Sequence, residues 1–216
     1  MWRRLIATTA FLGLALAAWG EASPEVGTIQ GVLINPWLTR GGSFVVYVER
    51  ASEGPYPMPE QAPVLDQIKM EFVPHLLPVV TGWEVEIRNS DQVFHNVHAY
   101  LGRETLFNLA TPPNFQPIRR TIERPGIITI LCDVHPEMSA YILSLQNPYF
   151  VVVPDPKMVE RMGPPKSPRV PFVIKNVPPG EYALRVWSEK LKKPQLEKRF
   201  PVTVEAGKTA QVTINP

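Results

Sequence analysis

Cys132-Asp133-Val134-His135-Pro136-Glu137-Met138 carries a thiol, an imidazole and a thioether at three-residue steps. Upstream, Asn89-Ser90-Asp91 leads into Phe94-His95-Asn96-Val97-His98. One histidine from that segment, brought beside the Cys132 loop, completes two nitrogens, one thiolate and one thioether. Trigonal His₂Cys with a weak axial Met is the donor set of a blue-copper electron-transfer site. Soft sulfur stabilises Cu(I) and imidazole suits both oxidation states, so the ion can change charge without changing its ligands. Residues three apart on an extended segment face roughly opposite sides. Only one of His95 and His98 should therefore reach the metal.

Other chemistries use fewer of these residues. A tetrahedral zinc site could take Cys132, two histidines and the carboxylate of Asp133 or Glu137, but it leaves Met138 without a role. Cys132 and His135 could act as nucleophile and base, yet no orienting Asn or Asp is evident and Met138 is again idle. Cys132 could also be an inert buried thiol. It is the only cysteine, so no internal disulfide can form.

The elements that must hold these residues read as β-strands. Residues 26–35 and 43–50 are β-rich around a Thr39-Arg40-Gly41-Gly42 turn. Residues 51–65 are broken by Pro and Gly into a linker. Lys69 to Val73 reads as a short strand, and Trp83 to Arg88 alternates, putting Trp83, Val85 and Ile87 on a buried face. Gly126 to Leu131 and Ala140 to Leu145 flank the Cys132 loop. Residues 154–171 are again Pro- and Gly-rich, and strands at 181–187, 199–205 and 209–214 close the chain. Met158 and Met162, four apart, suggest a single helical turn that packs both side chains. His75 is expected to be a structural or surface residue.

The composition agrees with an all-β chain. The 25 prolines among 216 residues are about twice the usual ~5%, and interior prolines disfavour helices. A formal net charge of +2 gives no basic excess, so no nucleic-acid partner is expected. Trp2-Arg3-Arg4, an uncharged Leu5 to Ala18 and the small residues that follow have the pattern of a secretory signal ending near residue 22. The apolar run is shorter than the ~20 residues of a membrane span. The mature chain is therefore expected outside the cytoplasm, as in a periplasm, with no integral membrane segment.

Residues 66–147 resemble the cupredoxin family, with plastocyanin-like and above all amicyanin-like features. The resemblance rests on Cys132-x₂-His135-x₂-Met138 with Pro136 after the His, on Asp91-x₃-His95-Asn96-Val97, and on the strand Gly82 to Asn89. It implies one type 1 copper held by His95, Cys132 and His135, with Met138 axial. Asn96 would tie the two ligand loops together, Pro136 would support the ligand loop, and His98, the alternative ligand, would lie exposed at the site's edge. Asn176 to Trp187, with Gly27 to Val32 and Val45 to Glu49, resembles the carboxypeptidase-regulatory-like, transthyretin-like β-sandwich. The implied fold is a cupredoxin Greek-key sandwich, 66–147, inserted into a discontinuous second sandwich, 26–50 plus 148–216. The combination resembles exported methylamine-utilisation-like proteins. It departs from them in its long Pro-rich 154–171 and in Ser188, where they often carry His.

The resemblance implies a non-enzymatic electron carrier cycling Cu(II)/Cu(I) with a redox protein partner, docking through Pro112, Pro113, Phe115 and Pro136 around His135. Two rivals stand beside it: a copper chaperone or storage module without electron transfer, and a structural β-sandwich whose site is vestigial or filled by zinc.

Overall fold

In Gly27–Ile34 (β1), Ile29, Gly31 and Leu33 turn inward while their neighbours face out. The alternation is that of a half-buried strand. The computed structural model describes residues 25–51 and 54–216; the signal segment read from the sequence lies outside them. Gly31 is required by a close approach: a Cβ there would sit 2.5 Å from the Phe172 ring. β1 pairs antiparallel with Arg169–Val177 (β13) and parallel with Thr209–Ile214 (β16). A second sheet orders Phe150–Val153 (β12), Phe44–Val48 (β2), Gly180–Trp187 (β14) and Phe200–Val204 (β15). The two sheets share a core of Ile29, Leu33, Phe44, Val46, Phe172, Ile174, Leu184 and Ile214. The strands before residue 50 and after residue 150 thus bury their apolar faces together.

The residues between them build a second core. Leu76–Val80 (β5), Ser139–Leu145 (β11), Gly126–Leu131 (β10), His95–Leu101 (β7) and Glu104–Thr111 (β8) form a five-stranded sheet in that order. Glu71–Val73 (β4), Val64–Ile68 (β3), Glu84–Ile87 (β6) and Ile118–Thr121 (β9) form a four-stranded one. Leu65, Val79, Val85, Ile87, Val97, Ile128, Ile130 and Ile142 fill the space between them. The molecule is all-β, a pair of joined β-sandwiches.

The sandwiches meet through a third cluster. Leu76 and Leu143, on the outer face of β5 and β11, pack against Val45 and Trp187 of the other unit, with Tyr141 at the edge. This explains why β5 is buried at every residue: one face serves its own core and the other serves the junction. Pro78 is tolerated because β5 is an edge strand, hydrogen-bonded only to β11.

Several local readings change. Residues 36–40 are a 3₁₀ helix, capped by the Asn35 side chain accepting from the Trp37 amide, which takes in Thr39 and Arg40 of the expected turn. Val64 and Leu65, expected to end the linker, begin the strand Val64–Ile68, whose polar Gln67 faces inward and is satisfied by the Arg88 carbonyl and the Thr111 hydroxyl. Lys69 and Met70 are not strand: both have positive φ, 54° and 64°, and turn β3 into β4. Pro156–Met162 is a short helix (α1), but Met158 and Met162 are exposed instead of packed. β5, β8, β9, β12 and β13 were not anticipated. Among the described residues, no helix is long and apolar enough to cross a membrane.

Candidate metal centre

Asp91 sits in the loop between β6 and β7. Its carboxylate accepts the Lys69 amide at 2.6 Å and the Met70 amide at 2.9 Å, which offsets the strain of two non-glycine residues in the left-handed region. Asn89 closes the same loop, donating to the carbonyls of Val93 and Thr111. Asp91 is thereby fixed before it touches the site. Burial works against its ionisation, but the Met70 amide, the His95 ring and the Lys69 amide hold the carboxyl below the usual carboxylate range.

His95, the first residue of β7, is fully buried. Its Nε2–H donates to Asp91 Oδ2 at 3.0 Å. That bond selects the tautomer in which Nδ1 carries a free lone pair. Nδ1 lies 2.9 Å from His135 Nδ1 and 4.0 Å from Cys132 Sγ, and His135 Nδ1 lies 3.7 Å from the sulfur. Among the described residues these three form the cluster of metal-binding character. Cys132 is buried and His135 half-buried, so the site meets solvent on the His135 side.

The Cys132 loop is held at both ends. The Cys132 amide donates to the Met138 carbonyl at 3.3 Å, and the Met138 amide to the His135 carbonyl at 3.0 Å. Met138 is buried, and its side chain belongs to the same apolar cluster as Cys132. Asn96 joins the two ligand segments. It accepts the Asp133 amide at 2.7 Å, and its Nδ2 donates to Asp133 and to Asn108, each at 2.8 Å. Pro136 is exposed on the outer side of the loop.

His98, weighed as an alternative ligand, is not part of this cluster. Three residues along β7 it faces away, as alternation requires, and its ring meets the Asp133 carboxylate at 3.0 Å and stacks on Tyr100. It is half-buried rather than exposed. The His98 bond, followed by that from Asn108, holds the Asp133 carboxyl below its ordinary range. Asp133 is thus occupied in hydrogen bonding and does not join the cluster. Of the residues expected to take part in docking, Pro112, Pro113 and Pro136 are exposed and Phe115 is half-buried. Val93, Phe94 and Val134 are further exposed apolar residues.

Asp91 is legible in the sequence only by its spacing to His95, because its contact with the His95 ring depends on a turn 21 residues upstream. The three converging atoms fit one soft or borderline ion. Bond lengths of about 2.0 Å to nitrogen and about 2.3 Å to sulfur allow a shared ion only when donors lie within the sum of two bonds. All three separations meet that limit, and no carboxylate takes part.

No protein-family model and no curated protein matches the chain. Solved structures do. A reduced amicyanin mutant is 25% identical over 45% of this chain and 98% of its own, with a TM-score of 0.36. A purple cupredoxin from Nitrosopumilus maritimus is 17% identical over 38% of this chain and 98% of its own, at 0.32. A copper-containing nitrite reductase from Thermus scotoductus is 18% identical over 54% of this chain and 28% of its own, at 0.37.

Proposed function

We propose that this chain is an exported type 1 copper protein that carries single electrons. The observation that supports this most is the convergence of His95 Nδ1, His135 Nδ1 and Cys132 Sγ in a largely buried pocket, with the His95 tautomer set by Asp91. His95, His135 and Cys132 would hold the copper, and Met138 would supply the weak axial thioether. The copper, when bound, supplies the Cu(II)/Cu(I) couple.

The chain's own residues do the rest. Asp91 keeps the proton of His95 on Nε2, away from the metal side. Asn96 and Asp133 lock the ligand loop to β7, so the donors are held in place rather than gathered by the ion. Such preorganisation suits an electron carrier, which must not rearrange on each turnover, and argues against a chaperone that must release its copper. The half-buried His135 offers the route out. The exposed Val93, Phe94, Val134, Pro112 and Pro113 would offer apolar side chains to a redox partner.

The test is to load the mature protein with Cu(II) and record visible absorption and EPR. An intense blue thiolate-to-copper band with narrow hyperfine splitting, lost in Cys132→Ser, is the expected result. A pale protein with a type 2 spectrum, or no stoichiometric copper, overturns the reading. Rapid loss of copper to a chelator favours the storage alternative.

A further inference from the structure

His75 lies in the short link between β4 and β5, yet it is bound to the start of β11. Its Nδ1–H donates to the Ser139 carbonyl at 2.9 Å, and its own carbonyl accepts the Tyr141 amide at 2.9 Å. Ser139 is the residue after Met138. On the other side of the ring, Nε2 is 3.2 Å from Glu189 Oε1. Glu189 belongs to the second sandwich, two residues beyond the end of β14. Its carboxylate is also held by Lys190 Nζ at 2.8 Å. The His75 ring packs edge-on against Tyr141, which in turn leans on Trp187 of β14, with centroids 5.7 and 5.1 Å apart.

The second sandwich therefore grips β11 at the end that carries Met138. Tyr141 and Leu143 seat the strand on Trp187 and Val45, and Glu189 meets the far side of the His75 ring that holds the Ser139 carbonyl. The grip matters because Met138, though buried, ends in a flexible, unbranched thioether, and an open surface pocket of about 310 Å³ runs past His75, Glu137 and Ser139 beside it. Fixing the backbone one residue away limits that freedom.

We infer that His75 and Glu189 are positioning residues for Met138, through which the second sandwich sets the axial thioether contact and so the reduction potential of the centre. The inference rests on the type 1 copper reading above. Axial ligation tunes the potential of such sites, and neighbours of a ligand control it by orienting that ligand.

The experiment measures the reduction potential and the thiolate-to-copper spectrum of the copper-loaded full chain in Glu189→Ala, Glu189→Gln and His75→Ala, each with and without Met138→Leu. Glu189→Ala and His75→Ala are expected to change the Cu(I)/Cu(II) ratio at a fixed applied potential three- to tenfold, about 30–60 mV for a one-electron couple. Glu189→Gln keeps a hydrogen-bonding partner for His75 Nε2 and should shift less than half as far. With Met138→Leu the shifts should vanish, since the coupling runs through the thioether. Equal shifts in Glu189→Ala and Glu189→Gln, or shifts that persist with Met138→Leu, would show a through-space charge effect and overturn the inference. So would a blue protein whose potential ignores all three changes. Glu189 is partly exposed, so its variants answer the question even where His75→Ala does not fold. A wild-type protein without the blue band overturns the site reading itself, and this inference with it.

Discussion

Removing the Asp91 carboxylate tests how far the site is built before metal arrives. Asp91→Ala takes acceptors from three donors: the amides of Lys69 and Met70 and the Nε2–H of His95. Lys69 is exposed and Met70 only half-buried, so water can replace the carboxylate at their turn. His95 is fully buried, and its Nε2–H is left with no partner. A hydrogen bond to a charged group contributes about 1.5–3 kcal/mol, and a buried donor left unmade carries its full desolvation penalty. The ring can escape by moving its proton to Nδ1, the nitrogen that faces Cys132 and His135, which removes the lone pair a metal needs. Loss of such an orienting carboxylate costs about 10–100-fold in metal affinity, which is about 1.4–2.7 kcal/mol. The assay is a copper titration in competition with a chelator of known affinity, with circular dichroism to confirm the fold. Binding weakened by that factor in a folded variant is expected. A folded Asp91→Ala protein that binds copper within twofold of wild type would refute the claim that Asp91 sets the ligand tautomer.

Three further outcomes are expected. His98→Ala should leave the copper spectrum in place, because the ring is turned away from the donor cluster, but should loosen the Asp133 network; loss of the blue band in a folded variant would restore His98 as a ligand. Gly31→Val should destabilise the second sandwich by about 1–3 kcal/mol, since its first added carbon would already meet Phe172 at 2.5 Å; urea unfolding that matches wild type would contradict this close approach. Glu49 is held below the usual Glu range, first by the hydrogen bond from Arg199 and further by the Arg199 and Arg185 charges, against a cost of burial. A folded pKa below the unfolded one gives stability that is present above about pH 4.3 and is lost as pH falls through the depressed folded value. Glu49→Gln should flatten the acid limb of a stability-versus-pH curve over that window, and an unchanged limb would show that the Arg199 and Arg185 pairing of Glu49 does not contribute to stability.

The Cys132 loop was legible in the sequence because its three donors are local: a seven-residue segment carries them wherever the fold puts it. A strand with clean alternation, such as Glu84–Ile87, was legible for the same reason, since period two is written into neighbouring residues. Strands that meet two environments were not. Leu76–Val80 has no alternation because both of its faces are covered, and Val64–Ile68 hides an inward Gln67 whose partners, Arg88 and Thr111, lie 21 and 44 residues away.

By itself the sequence determined the donor types, their spacing within the loop, and the opposite facing of His95 and His98, all of which follow from covalent connectivity and strand geometry. Tertiary structure alone decided which nitrogen of His95 points to the sulfur, because that depends on Asp91 being held by a turn distant in sequence. It also decided that Glu189, 114 residues after His75, reaches the strand that begins beside Met138. Contacts of that range are set by how two separately cored sandwiches pack, and no local pattern of residues encodes them.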